Sequence, residues 1–180
     1  MSTDQADAPS REASTSVALA NDTLARAAVV VGRVVVAFLW IQNVIWKEPP
    51  EFTSLARFTE LAVEHPVFPP YSAVVENIIL PNISVFGWFV ILAEASIGAF
   101  LLVGLFTRFW GIVAVLQTVA IFLSVGMTPE EWPWAYYMMA VASLLLAAAG
   151  AGRVWGLDAL FRPILIAKDS RVSGWLARAT

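Results

Sequence analysis

The sequence predicts an all-α integral membrane protein, a four-helix bundle with short interfacial helices, and three observations carry that prediction. Hydrophobic residues make up 59% of the 180-residue chain and charged residues only 14%, against roughly 25% charged in an average soluble protein. Mean hydropathy is +0.73, more apolar surface than a soluble domain of this size could hide. Four stretches are nearly free of charge, each close to the roughly 20 residues that cross a hydrocarbon core about 30 Å thick. In lipid each spanning backbone must satisfy its own hydrogen bonds, so these stretches are helices.

Residues 1–23 are rich in Ser, Thr, Ala and Asp without periodicity and read as a disordered cytoplasmic tail. No small-residue cleavage site follows the first apolar stretch, which ends in Val44-Ile45-Trp46-Lys47-Glu48-Pro49-Pro50, so a retained span over 24–46 is expected rather than a signal peptide. An external loop over 47–82 follows. In it Phe52, Leu55, Phe58 and Leu61 recur at three-residue steps, as in a short amphipathic helix lying on the bundle or the membrane. His65-Pro66 and Pro69-Pro70 are expected to break that helix. The second span, 83–105, is bent or started by Pro81 and interrupted by Glu94. Uncharged spans at 109–127 and 133–151 complete a bundle over 24–152. Residues 153–180 form a cytoplasmic interfacial segment anchored by 157–167 and Trp175-Leu176.

Charge orients the bundle. Of eleven Lys and Arg, nine (Arg11, Arg26, Arg33, Arg108, Arg153, Arg162, Lys168, Arg171 and Arg178) fall on one side, and Lys47 and Arg57 on the other with most of the glutamates. The positive-inside rule then puts both termini in the cytoplasm, in a multi-pass protein of the cell membrane. The absence of cysteine excludes disulfides, thiolate metal sites and iron–sulfur clusters. A single histidine excludes a bis-His haem within one chain, and a formal charge of −3 gives no support to a nucleic-acid partner.

Glu94 lies near the middle of the second span, where an ionised carboxylate costs on the order of 3 kcal/mol or more. It shares a helical face with Ser84, Gly87, Ile91 and Gly98, a small-residue stripe that lets another helix approach. Glu94 therefore points inward and needs a partner. Arg33, on one face with Ala37 and Trp40, reaches a similar depth at about 1.5 Å per residue and is the expected one. That pair serves either as a structural register pin or as a site where substrate or proton is handled. Gln117, central in the third span, completes the polar centre or simply hydrogen-bonds between helices. Gln42 and Asn43 meet the outer interface. Trp46, Trp132, Trp134, Tyr136 and Tyr137 form an outer aromatic belt or the wall of a ring-binding slot. Glu131 is placed to cap the fourth span, and His65 reads as exposed. Arg108, after a helix end, neutralises the carbonyls there or holds a lipid phosphate; Arg153 and Asp158 form a similar cytoplasmic clasp.

Several stretches together resemble the DoxX/DoxD family of small four-helix membrane proteins. They are Gly32-Arg33 with Phe38-Leu39-Trp40 and Trp46 to Pro50; Ala93-Glu94 through Gly98 and the run Leu101 to Arg108; and Glu131-Trp132-Pro133-Trp134-Ala135-Tyr136-Tyr137 leading to Gly152-Arg153 and Leu157-Asp158. The last is most similar to the DoxD branch, taken as the large-subunit type of thiosulfate:quinone oxidoreductase. The resemblance covers residues 24–162.

The resemblance implies oxidation of thiosulfate to tetrathionate with electrons passed to a membrane quinone, alongside a DoxA-type or other redox partner and membrane lipid. On that reading Glu94 and Arg33 are the catalytic pair, and Trp40, Trp46, Lys47, Gln117, Trp134 and Tyr136 bind the quinone. No haem, metal or iron–sulfur cluster is expected. Two other readings accompany it: a non-enzymatic anchor of a larger redox complex, and a small-solute or lipid carrier. Fold and motif alone do not choose among them.

Overall fold

The computed structural model describes residues 23–168 and 170–180. The tail expected over 1–23 lies, except for Thr23, outside the described residues. Helix α1 runs over Thr23–Ile45 and α2 over Thr53–Glu64. Helix α3, Pro69–Val74, continues through a π turn, Val75–Ile79, and a 3-10 turn, Leu80–Asn82, into α4, Ile83–Val103. Helices α5, Thr107–Val125, and α6, Pro133–Ala149, complete the bundle. A 3-10 turn, Ala151–Arg153, leads to α7, Asp158–Ala167, and α8, Arg171–Ala179. The regular structure of the described residues is all helical.

Helix α1, the continuous run Pro69–Val103 and α5 are long and apolar enough to cross a membrane, and α6 is shorter at 17 residues. The bundle is therefore that of a membrane protein. Helix α2 ends at Glu64, as expected from His65-Pro66 and Pro69-Pro70, but the run Pro69–Val103 corrects the expected start of the second span at 83. Proline is pre-organised for the first turn of a helix, where its missing N–H is not needed, and Phe68 supplies an extended N-cap before it. At Pro81 the missing amide is absorbed by the π and 3-10 turns, so the chain bends without ending the helix. Its 35 residues exceed the roughly 20 a bilayer requires, so its first turns extend past the hydrocarbon core.

Helices α1 and α4 form one close pair, α5 and α6 the other, and α4 joins them through α5. Glycine makes each pair close. A methyl on Gly98 would stand 3.1 Å from the Ala37 carbonyl oxygen of α1, and one on Gly111 would stand 3.0 Å from the Ser143 carbonyl oxygen of α6. The core between the pairs is built from Ala37, Trp40, Ile97, Leu101 and Ala114. Outward-facing Phe38, Leu39, Phe89, Leu92, Leu116 and Leu145 are all more than half exposed except in a bilayer, where lipid covers them.

The loop after α1 folds back over one end of the bundle. Phe52, fully buried, seats its ring where Gly87 leaves room for it, and its edge meets Trp88 at 5.6 Å between centroids. From there α2 crosses α5, burying Leu55, Thr59 and Ala62. The amphipathic helix expected from the Phe52–Leu61 spacing is thus present, with Phe52 just before its first turn.

The opposite end is tied by Asp158. Helix α4 ends at Gly104 in the left-handed conformation (φ 70), with the Gly104 and Leu105 amides donating to the Leu101 and Phe100 carbonyls. The Asp158 carboxylate then accepts from the Phe106 amide at 2.7 Å, the Thr107 amide at 3.0 Å and the Thr107 hydroxyl at 2.8 Å. Asp158 therefore caps α5. The same hydroxyl accepts from the Gly152 amide at 3.0 Å, which fixes the end of α6 to the same knot.

Candidate functional site

Glu94 is 1% exposed and points into the bundle from the middle of α4. Its partner is Lys47, itself 1% exposed, with the ammonium 2.5 Å from Glu94 Oε2. Lys47 lies two residues beyond α1, and its side chain turns back into the bundle to donate also to the Asn43 carbonyl. Gln117 of α5 donates its side-chain amide to Glu94 Oε1 at 3.2 Å. Both carboxylate oxygens thus have a partner, as a buried charge requires.

The expected Arg33–Glu94 pair is not formed. The Arg33 guanidinium extends toward the far end of α1 and donates to the Ala151 carbonyl at 2.8 Å, to Val154 at 3.0 Å and to Trp155 at 3.4 Å. The physical reason is that a long cationic side chain leaves the hydrocarbon toward the nearer helix end, and there it meets the backbone carbonyls of the turn after α6. Arg33 fills the space beside Gly104 and Gly156, where a methyl on either would come within 2.7 Å of its Nη1. It is a structural latch.

The Lys47–Glu94 pair lies at the wall of a cavity of about 320 Å³. Its lining is mostly apolar, from Leu55 and Phe58 of α2, Ile83, Phe86 and Val90 of α4, Ala120 and Ile121 of α5, and Met139 of α6. The polar groups facing it are Asn43, Lys47, Thr59, Tyr71, Glu94, Gln117, Ser124 and Tyr136. Trp46 adds an aromatic wall, its indole N–H donating to Asn43 Oδ1 at 3.2 Å and its ring edge-on to Phe58 at 5.2 Å. The Tyr71 hydroxyl lies 3.0 Å from that of Ser124. The Tyr136 hydroxyl donates to Glu131 Oε2 at 2.7 Å, linking the cavity to a loop carboxylate.

Of the residues proposed from sequence to bind a ring, Trp46, Lys47, Gln117 and Tyr136 line this cavity together. Trp40 does not: it is 2% exposed and fills the core against Ala37 and Ile97. Trp134 does not either: it is 58% exposed and meets Trp132 edge-on, as a membrane-surface aromatic does. Asn43, expected merely at the interface, holds both Trp46 and Lys47. Tyr71, Phe58, Thr59 and Ser124 were not anticipated as cavity residues; the three-residue apolar step in α2 marked Phe58 as inward-facing, and nothing marked the others.

Four further expectations change. Arg108 lies in the first turn of α5, not at the end of α4, because Gly104 ends that helix early. Asp158 gives its carboxylate to α5, while Arg153 donates to the Thr180 carbonyl at 2.7 Å, so the two form no direct clasp. Glu131 accepts from Tyr136, not from the first amides of α6, whose N-cap is Trp132. His65 is half-buried at the C-cap of α2.

A family model described as TQO small subunit DoxD matches residues 29–178 of the chain. Its description replaces the large-subunit assignment expected from the motifs. No curated protein and no solved structure matches.

Proposed function

The chain belongs to the DoxD family, and from that premise we propose that it is a membrane subunit of a thiosulfate:quinone oxidoreductase whose cavity receives a quinone ring. The observation that carries the reading is the buried Lys47–Glu94 pair facing an apolar, aromatic-walled cavity of about 320 Å³, a size within the roughly 300–1,000 Å³ of small-molecule sites. A quinone ring needs flat apolar walls, donors for its carbonyl oxygens and a route for protons. Trp46, Phe58 and Phe86 supply the first, Lys47 and Gln117 the second, and Glu94 with Tyr136 the third.

In the reaction two thiosulfate dianions lose two electrons as one S–S bond forms to give tetrathionate, and the quinone gains those electrons with two protons. Lys47 orients one carbonyl and hands it a proton, and Glu94 holds the charge balance of that step inside the hydrocarbon. Tyr136, bonded to Glu131, exchanges protons with the loop side. The sulfur chemistry belongs to a partner subunit of the DoxA type. Lys47 is committed to Glu94, and Arg57 is left as an exposed cation among Glu48, Glu51, Glu60, Glu64, Glu76 and Glu130, all exposed. Such a surface repels a dianion unless a partner supplies positive charge. The excess of Arg and Lys at the other end supports a placement of both termini on the cytoplasmic side of the membrane.

The test is thiosulfate-dependent reduction of a short-chain quinone by membranes containing the chain and its partner, normalised to folded protein. Glu94→Gln is expected to lower turnover by about 10²-fold or more. Wild-type turnover per molecule in Glu94→Gln, with only abundance reduced, would overturn this reading in favour of an anchor.

A further inference from the structure

At the arginine-rich end, Arg108, Arg153 and Arg162 each have a buried Nε with no hydrogen-bond partner among the described residues. The fold brings them together: Arg108 and Arg153 directly follow Thr107 and Gly152, which are hydrogen-bonded at 3.0 Å, and Arg162 lies one turn into α7 from Asp158, which is bonded to Thr107. Burial first, then the charges of Arg108 and Arg162, hold Arg153 below the ordinary arginine range against the pull of Asp158. Arg108 sits in the first turn of α5, the positive end of that helix, where a cation is unfavourable. Of the carboxylates among the described residues, Asp158 alone belongs to the segments at this end, and its oxygens already accept from Phe106 and Thr107. Arg33 is likewise committed, to three carbonyls. Asp158 acts on Arg153 through space and Arg153 donates to the Thr180 carbonyl at 2.7 Å, but among the described residues no carboxylate side chain forms an ion pair with any of the three.

An arginine binds an oxyanion best through a fork of two parallel N–H donors. The Arg108 and Arg162 side chains donate to no described residue and Arg153 gives one bond, to Thr180, so their terminal nitrogens are donors left for tetrahedral oxygens. Arg162 lies on α7, which turns Leu160, Phe161, Ile164 and Ile166 outward, each at least 44% exposed. Those side chains belong among acyl chains, which places the cluster at headgroup depth. We propose that Arg108, Arg153 and Arg162 form a binding site for a phosphate-type anion, supplied by the headgroup of an anionic phospholipid. The site is separate from the cavity and does not depend on what the cavity binds.

Thermal unfolding of the purified full chain in nonionic detergent tests this. Phosphatidylglycerol is expected to raise the midpoint by about 3 °C or more, and phosphatidylcholine to leave it unchanged. Arg108→Gln/Arg162→Gln should lose most of that rise, whereas Arg171→Gln/Arg178→Gln, two exposed cations at the same end, should keep it. Arg108→Lys/Arg162→Lys keeps the charge but removes the fork, and is expected to lose most of the rise too; it carries the test if the glutamine pair does not fold. An equal rise in both Arg108/Arg162 pairs, or an equal loss in the Arg171/Arg178 pair, would mean diffuse attraction and overturn the site. The same rise from inorganic phosphate alone at matched concentration would overturn the lipid as its source.

Discussion

Glu94 shows how one side chain can be legible while its partner is not. Its inward direction followed from the small residues on its face, and it is buried. The partner was missed because counting rise along helices locates Cα atoms, whereas Arg33 and Lys47 both end far from theirs. Arg33 runs out to the carbonyls of Ala151 and Val154, and Lys47 runs in from beyond α1. Removing one member of a buried pair leaves the other uncompensated, at a cost of about 3–5 kcal/mol. Glu94→Gln and Lys47→Met should each show a loss of that order in reversible unfolding, while the double variant loses clearly less than their sum. Arg33→Gln should also destabilise, by about 3 kcal/mol for three hydrogen bonds to a charged group, yet leave quinone affinity unchanged, since Arg33 does not line the cavity.

Among elements, the long apolar stretches were the readable part, because a chain in lipid has one way to satisfy its backbone. The stretch 69–82 reads from the sequence as loop because its three prolines look like breakers. Pro69 in fact begins a helix and Pro81 bends one. That error hid Tyr71 and Ile79, which the continuous helix turns into the cavity. The covering role of α2 rests on Phe52 lying against Gly87, where an added methyl would come within 2.7 Å of three ring atoms. Gly87→Val should unseat Phe52 and loosen α2 over the cavity. The expected result is a KM for quinone raised about tenfold with kcat changed less, as for lost ground-state binding. Gly98→Val, by contrast, should wedge α1 from α4 and cost about 1–3 kcal/mol of stability, read by unfolding in the same detergent.

For the whole molecule, the two ends have opposite chemistry. One presents exposed glutamates on and around α2, and the other gathers Arg33, Arg108, Arg153 and Arg162 about a single described side-chain carboxylate, Asp158. The charge count along the sequence disclosed this asymmetry, but not that Asp158 and Arg33 tie three chain segments into one knot, since both act on backbone groups that no side-chain pattern marks. Between the ends lies the cavity with its Lys47–Glu94 pair, where the account places the quinone. The most direct test is photolabelling of the membrane-embedded chain with a photoreactive quinone analogue, mapped by mass spectrometry. Labels on the segments carrying Trp46, Phe58 and Tyr136, suppressed by excess unlabelled quinone, are the expected result; labels confined to lipid-facing residues such as Phe89 and Leu116, with no competition, would contradict a quinone site in the cavity.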